Sequence, residues 1–177
     1  MKEEQCLKEL MKGIRKLDPV LNPLGFVFKI SENGVSSAGA FAAGFYENGD
    51  KKIGLIFRSF AGLGSVNYEC RRWNIDHDSL VRYLGKQDVS KLKYKTNTFK
   101  SYSKDGGDVF DAFVYDIQQF GGEFLTSSDD QFENALKEIR ETPQPKDKEV
   151  LGSSQSIWVR LIWLAIILSI IIYLFQR

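Results

Sequence analysis

One histidine, two cysteines and a handful of arginines and tyrosines are the side chains of this sequence that could carry chemistry. His77 lies between Asp76 and Asp78, where a carboxylate could hold an imidazole as a general base. A solvated residue at a helix start accounts for the same spacing and is the simpler expectation. Arg58, Tyr68, Arg71 and His77 would line a pocket between a sheet and the following helices if the fold brings them together. Cys6 and Cys70 are too few for a disulfide scaffold, so a reducing compartment is expected. With one histidine they offer no Cys/His zinc set. The sequence has no G-x-S-x-G, Walker loop, H-E-x-x-H or C-x-x-C. Gly-Leu-Gly-Ser at 62–65 is short for a phosphate cradle and falls between strands. Asp105, Asp108 and Asp111 lack EF-hand spacing and suit a helix N-terminus. The expectation is therefore no catalytic residue, no metal and no cofactor.

A second group of residues could bind rather than react. Residues 86–104 hold six lysines and one aspartate, interleaved with Tyr94, Phe99 and Tyr102. Lys91, Lys93, Tyr94, Lys95 and Tyr102 are the contact candidates. Such a stretch could meet phosphates and bases, or anionic headgroups at a membrane. It could also pair with residues 105–142, which carry ten acidic and two basic side chains. The stretch contains no arginine, the residue best suited to bidentate phosphate contacts, so nucleic acid ranks last of the three. The net charge of +1 gives no overall pull toward polyanions.

These residues must be placed by an α+β fold. Cys6, Leu7, Leu10, Met11, Ile14 and Leu17 recur at helical spacing, which predicts an amphipathic helix over 3–17 that lies as a lid on a sheet and stops at Asp18-Pro19. Asn22-Pro23-Leu24-Gly25 reads as a turn or short helical piece. Strands are expected at 26–31, 40–47, 51–60 and 66–73, a four-stranded antiparallel meander with helices on one face. Asn48-Gly49 marks one hairpin, and Asn33-Gly34 a second. The small residues of 34–44 suit a loose approach to a strand or a place where another backbone or a ligand comes close. Helices follow from Asp76 to Gly85, through 107–122 with Val109, Phe110, Phe113, Val114, Ile117 and Phe120 on one stripe, and after Ser128, where Ser128 and Gln131 form a capping box.

The last segment decides location. From Leu161 to Phe175 there is no charge. The nineteen residues 157–175 would span roughly 28 Å as a helix, against a hydrocarbon core of about 30 Å. Trp158, Trp163 and Tyr173 fall toward its ends, where aromatic residues settle at interfaces, and Arg160 can snorkel. Residues 142–156 carry prolines, charges and a Gly-Ser cluster, and read as a linker. Lys146, Lys148 and Arg160 precede the span, which favours residues 1–141 in the cytoplasm and a single-pass tail anchor in the inner membrane. Ser169 is a polar group at mid-depth that could help copies associate as a homo-oligomer through the span.

The run from Gly34 to Glu69, followed by Asp-His-Asp-Ser-Leu-Val-Arg-Tyr-Leu-Gly at 76–85 and Phe-Asp-Ala-Phe-Val-Tyr-Asp at 110–116, resembles a family of small uncharacterised bacterial α+β proteins over about residues 20–125. That family often has a histidine where this chain has Ile56. The resemblance implies a compact α+β module and no established activity. The expected function is a non-enzymatic, tail-anchored module that binds a protein partner at the lipid bilayer, with an immunity or defence role by analogy. A membrane-tethered enzyme or small-ligand sensor, using the Arg58, Tyr68, Arg71 and His77 pocket, is the alternative.

Overall fold

A computed structural model describes residues 3–85, 92–96, 101–103 and 107–142, with the backbone alone for 95, 96 and 101–103. Lys91, the linker beyond Thr142, and the 157–175 segment with Trp158, Arg160, Trp163 and Tyr173 lie outside the described residues.

The chain is α+β. A helix α1 (Glu3–Leu21) precedes a short 3-10 turn (Asn22–Leu24) and strands β1 (Val27–Ser36), β2 (Gly39–Asn48), β3 (Lys51–Arg58), β4 (Gly62–Cys70) and β5 (Trp73–Asp76). Then come α2 (His77–Leu84), the small hairpin β6 (Tyr94–Thr96) and β7 (Ser101–Ser103), and helices α3 (Val109–Asp116), α4 (Gly122–Thr126) and α5 (Asp129–Glu141). The main sheet has five antiparallel strands in the order β1-β2-β3-β4-β5. The expected four-stranded meander therefore needs a correction. β5 is four residues long, and its turn, Arg71-Arg72, carries none of the usual turn residues. Arg71 itself adopts the left-handed backbone, with φ of 52°. Its guanidinium holds the turn down by donating to Asp50 (2.9 Å), Asp130 (3.0 Å) and Glu133 (2.5 Å).

Two other boundaries move for physical reasons. The β1–β2 turn is at Ser37-Ala38, with Ser36 opposite Gly39, and Asn33-Gly34 lies inside β1. A turn at 33–34 would have set Phe28 against Gly39, whereas the observed register sets it against buried Tyr46 and packs the two rings with centroids 5.1 Å apart. Gly39 takes φ of 84°, and Ser36 Oγ accepts from the Ala38 amide at 3.2 Å. Helix α1 runs past Pro19 to Leu21, because the ring removes one late hydrogen bond while Leu17 and Leu21 are buried on the sheet. The Asn48-Gly49 hairpin forms as expected, with Gly49-Asp50 as its two loop residues and positive φ at Gly49.

Alternation sorts the sheet into two faces. Lys51, Ile53, Leu55 and Phe57 of β3, and Val66, Tyr68 and Cys70 of β4, point into the core with Ala40, Ala42 and Tyr46. Helices α1, α3 and α5 supply the rest of that core through Leu10, Ile14, Leu17, Phe110, Phe113, Phe132 and Leu136. The small residues of β2 let elements approach closely. A Cβ on Gly44 would sit 2.4 Å from the Phe28 ring and 2.7 Å from the Lys29 carbonyl. Lys51 is buried, yet its ammonium donates to the carbonyls of Leu125 (3.2 Å) and Ser127 (2.8 Å) at the end of α4, so the sheet is fastened to the helix terminus. The capping box at Ser128 and Gln131 forms. The stripe from Val109 onward does not stop at Gly121-Gly122. A π-turn at Ile117–Gly121 resets the phase, so Leu125 and Phe124 are buried and Phe120 is only half-buried.

Candidate functional site

Three of the chain's ionisable side chains meet in the core between β4, α2 and α3. His77 is the first residue of α2, after the Asp76 cap, and is 2 % exposed, so the expected solvated position is corrected. Its Nδ1 lies 2.9 Å from the Tyr68 hydroxyl, and its Nε2 lies 3.6 Å from Asp116 Oδ2, beyond hydrogen-bond reach. Asp116 is fully buried. Its two carboxylate oxygens accept the backbone amides of Lys93 (2.9 Å) and Tyr94 (2.8 Å). The carboxylate favours the tautomer with the proton on Nε2, so Tyr68 donates to Nδ1. Burial pushes the Tyr68 hydroxyl well above its ordinary value, with Asp116 and Tyr94 adding to the rise. Phe113 and Tyr94 close over the imidazole edge-to-face, 5.0 and 5.3 Å between centroids. The group has the composition of a relay, but aromatic rings seal it, and no substrate atom can reach His77 without opening the core.

The residues expected to share a pocket are thus dispersed. Tyr68 and His77 touch. Arg71 lies at the β4–β5 turn beside the Asp50 end of β3, while Arg58 pairs with Gly62 at the opposite end of that strand. Tyr94, expected to be an exposed contact, is 0 % exposed and donates its hydroxyl to the Leu63 carbonyl at 3.1 Å. That is a correction with a clear cause: Asp116 pulls the β6 backbone inward. Lys93 lies over the Tyr115 ring at 4.5 Å. Lys95 and Tyr102 pair across the small hairpin. Asp108 and Asp111 both bind Lys16 Nζ at 2.8 Å; they fasten α3 to α1. Among the described residues no group of three or more His, Cys, Asp or Glu could hold a metal ion.

The sealed cluster makes the fold sensitive to alkali. Tyr46, buried and bonded to Asp18 at 2.8 Å, is also raised, by burial first and then by Asp18. Folded hydroxyls that resist ionisation leave stability intact below the ordinary tyrosine value of 10.0 and lose it as pH rises beyond. We expect the unfolding free energy from urea titrations to be level up to about pH 10 and then to fall by about 1.4 kcal/mol per pH unit for each such tyrosine. Tyr68→Phe should make that fall shallower.

The accessible site is the other face of the sheet. No helix among the described residues covers it, and it holds a depression of about 300 Å³. Its floor is made of the small residues Ala43 and Gly54. Phe45, Ile56 and Asn67 form its walls, and Glu32, Lys52, Glu69 and Asn74 its rim. Register explains the hollow: Phe45, Gly54 and Asn67 face one another across three strands, and a Cβ on Gly54 would find only the Asn67 carbonyl, at 3.9 Å. Lys52 Nζ lies 5.3 Å from the centroid of the Phe45 ring. Sequence reading missed this face, although its signal is present. The outward positions of β2, Phe41, Ala43 and Phe45, are apolar where a solvated sheet face would be polar.

Comparison with family models, curated proteins and solved structures finds no match to this chain. Ile56 falls on the open face.

Proposed function

We propose that the chain is a membrane-tethered, non-enzymatic protein-binding module. The apolar segment 157–175 would be its single span, in the inner membrane, with the α+β domain on the cytoplasmic side. The carrying observation is that the reactive side chains His77, Tyr68 and Asp116 are sealed in the core while no described element covers the other sheet face. That face mixes aromatic and aliphatic side chains, Phe45 and Ile56, with charges of both signs, Lys52 and Arg58 against Glu32 and Glu69. Such a surface suits a protein partner. The glutamates oppose nucleic acid and anionic lipid alike. Among the described residues no helix is long and apolar enough to cross a membrane, so the tether is read from the sequence of 157–175.

The test places a photo-reactive residue at position 56 of the full chain in membranes, and another at Lys137 on α5. A discrete protein adduct from position 56, lost in Lys52→Glu/Glu69→Lys, supports the reading. Adducts from position 137 alone would move the interface off this face. Release of the full chain by alkaline extraction would remove the tether.

A further inference from the structure

The outer edge of the main sheet is β1, and exposed apolar side chains gather on it. Val27 is 60 %, Ile30 52 % and Val35 67 % exposed. An edge ten residues long, with no neighbour on its outer side among the described residues, offers a row of unpaired backbone groups to another strand. Which groups these are follows from the ladder. The Ser59 amide donates to the Ala40 carbonyl at 3.0 Å, so Ala40 and every second residue after it on β2 turn toward β3. Phe41, Ala43 and Phe45 turn toward β1, and their partners Gly34, Glu32 and Lys29 turn inward to meet them. Phe28, Asn33 and Val35 consequently direct their amides and carbonyls outward.

We propose that this edge pairs with the same edge of a second copy, antiparallel, with the two-fold axis between Ile30 and Ser31. Phe28 then faces Asn33 of the second copy, and Lys29 faces Glu32, each pairing occurring twice. Strand alternation and charge agree on this register. Phe28 and Asn33 both have outward backbone groups. Facing residues share a side of the sheet: Phe28 and Asn33 stand with Tyr46 and Ala42 on the helix-covered side, and Lys29 and Glu32 stand with Phe45 and Ala43 on the open side. Opposite charges meet at the closely spaced positions, where cross-strand ion pairs are favourable. A shift of one residue mismatches the sides, and a shift of two leaves Lys29 opposite Gly34. The irregularity between Ile30 and Glu32 falls at the axis, so the flanking segments stay in register. Lys29 also pairs with Glu47 of its own chain, which sets it between two carboxylates in the pair.

The experiment uses the full chain in detergent. Glu32→Lys alone sets lysines opposite lysines, and Lys29→Glu alone sets glutamates opposite glutamates. Each should associate about tenfold more weakly than the parent, while a mixture of the two should form a heterodimer at parental strength. Lys29→Cys mixed with Glu32→Cys should give a covalent heterodimer under oxidation, and Lys29→Cys mixed with Val35→Cys should not. Circular dichroism checks that each variant is folded, and the cysteine pair decides the matter if a charge reversal unfolds the chain. A monomeric parent, association unchanged by Glu32→Lys, or cross-linking indifferent to register would overturn the proposal. Unchanged association would instead direct attention to pairing elsewhere, such as through 157–175.

Discussion

Replacing Asp116 with alanine is expected to lower the unfolding free energy by about 4 kcal/mol, the largest loss for any single side chain described here. The carboxylate is buried completely and accepts two backbone amides at 2.9 and 2.8 Å. Charge-assisted hydrogen bonds are worth about 1.5–3 kcal/mol each, and donors that lose their acceptor in the core bear the desolvation cost. The loss should be local before it is global. Amide exchange at Lys93 and Tyr94 should quicken first, since Asp116 is what draws that strand against α3. Asp116→Asn keeps one acceptor and turns a donor toward the other amide, so it should fall between the parent and Asp116→Ala. Denaturant unfolding of the three proteins checks the order. If Asp116→Ala were as stable as the parent, the carboxylate would not be what holds β6.

Gly13→Ala should cost about 1 kcal/mol net, although alanine is the better helix former. A Cβ at Gly13 would lie 2.2 to 2.4 Å from three carbons of the Phe110 ring, and that ring is itself stacked on Phe57 with centroids 6.2 Å apart. It cannot move without disturbing the sheet. Overpacking of this kind costs about 1–3 kcal/mol, against a propensity gain of about 1 kcal/mol in a helix interior. The net sign identifies the cause. A stabilised Gly13→Ala would mean that α1 rides higher on α3 than described. Gly13→Ala/Phe110→Leu should recover part of the loss, and thermal midpoints of both proteins measure it.

The long periodic elements were legible before the fold was known. The apolar spacing of α1, the Asp76 cap of α2, the Ser128–Gln131 box of α5 and the Asn48-Gly49 hairpin all carry local signals that tertiary packing leaves in place. The misses occurred where distant contacts outvote local ones. Asn33-Gly34 has ideal turn chemistry, but Phe28 gains more by meeting Tyr46. Pro19 is a helix breaker beside two leucines that the sheet buries. β5 turns on an arginine held by three carboxylates from distant segments, and no local pattern announces it. The site divides in the same way. Asp116, a lone acid on an apolar stripe, and Phe41 and Phe45, outward on a strand, left traces in the sequence. The convergence of His77 with Asp116 joins the start of α2 to the end of α3, far apart in sequence, and left none.

The attachments of α5 are unlike at its two ends, and this governs how the domain would respond to load. At its N-terminal end are the capping box, the Asp129 carboxylate accepting the Asp50 amide at 3.2 Å, and the Arg71 bridges to Asp130 and Glu133. Toward Thr142 the helix is held by buried Leu136 and Ile139 and by a side-chain hydrogen bond, Tyr83 donating to Glu138 at 2.8 Å. Tension entering from residue 143 onward would meet the greasy end first and the ionic end about 18 Å later. The helix can then yield turn by turn from its C-terminus while Arg71 keeps the two hairpin tips gripped, so a tug on the chain would be spent in α5 before it distorts the sheet.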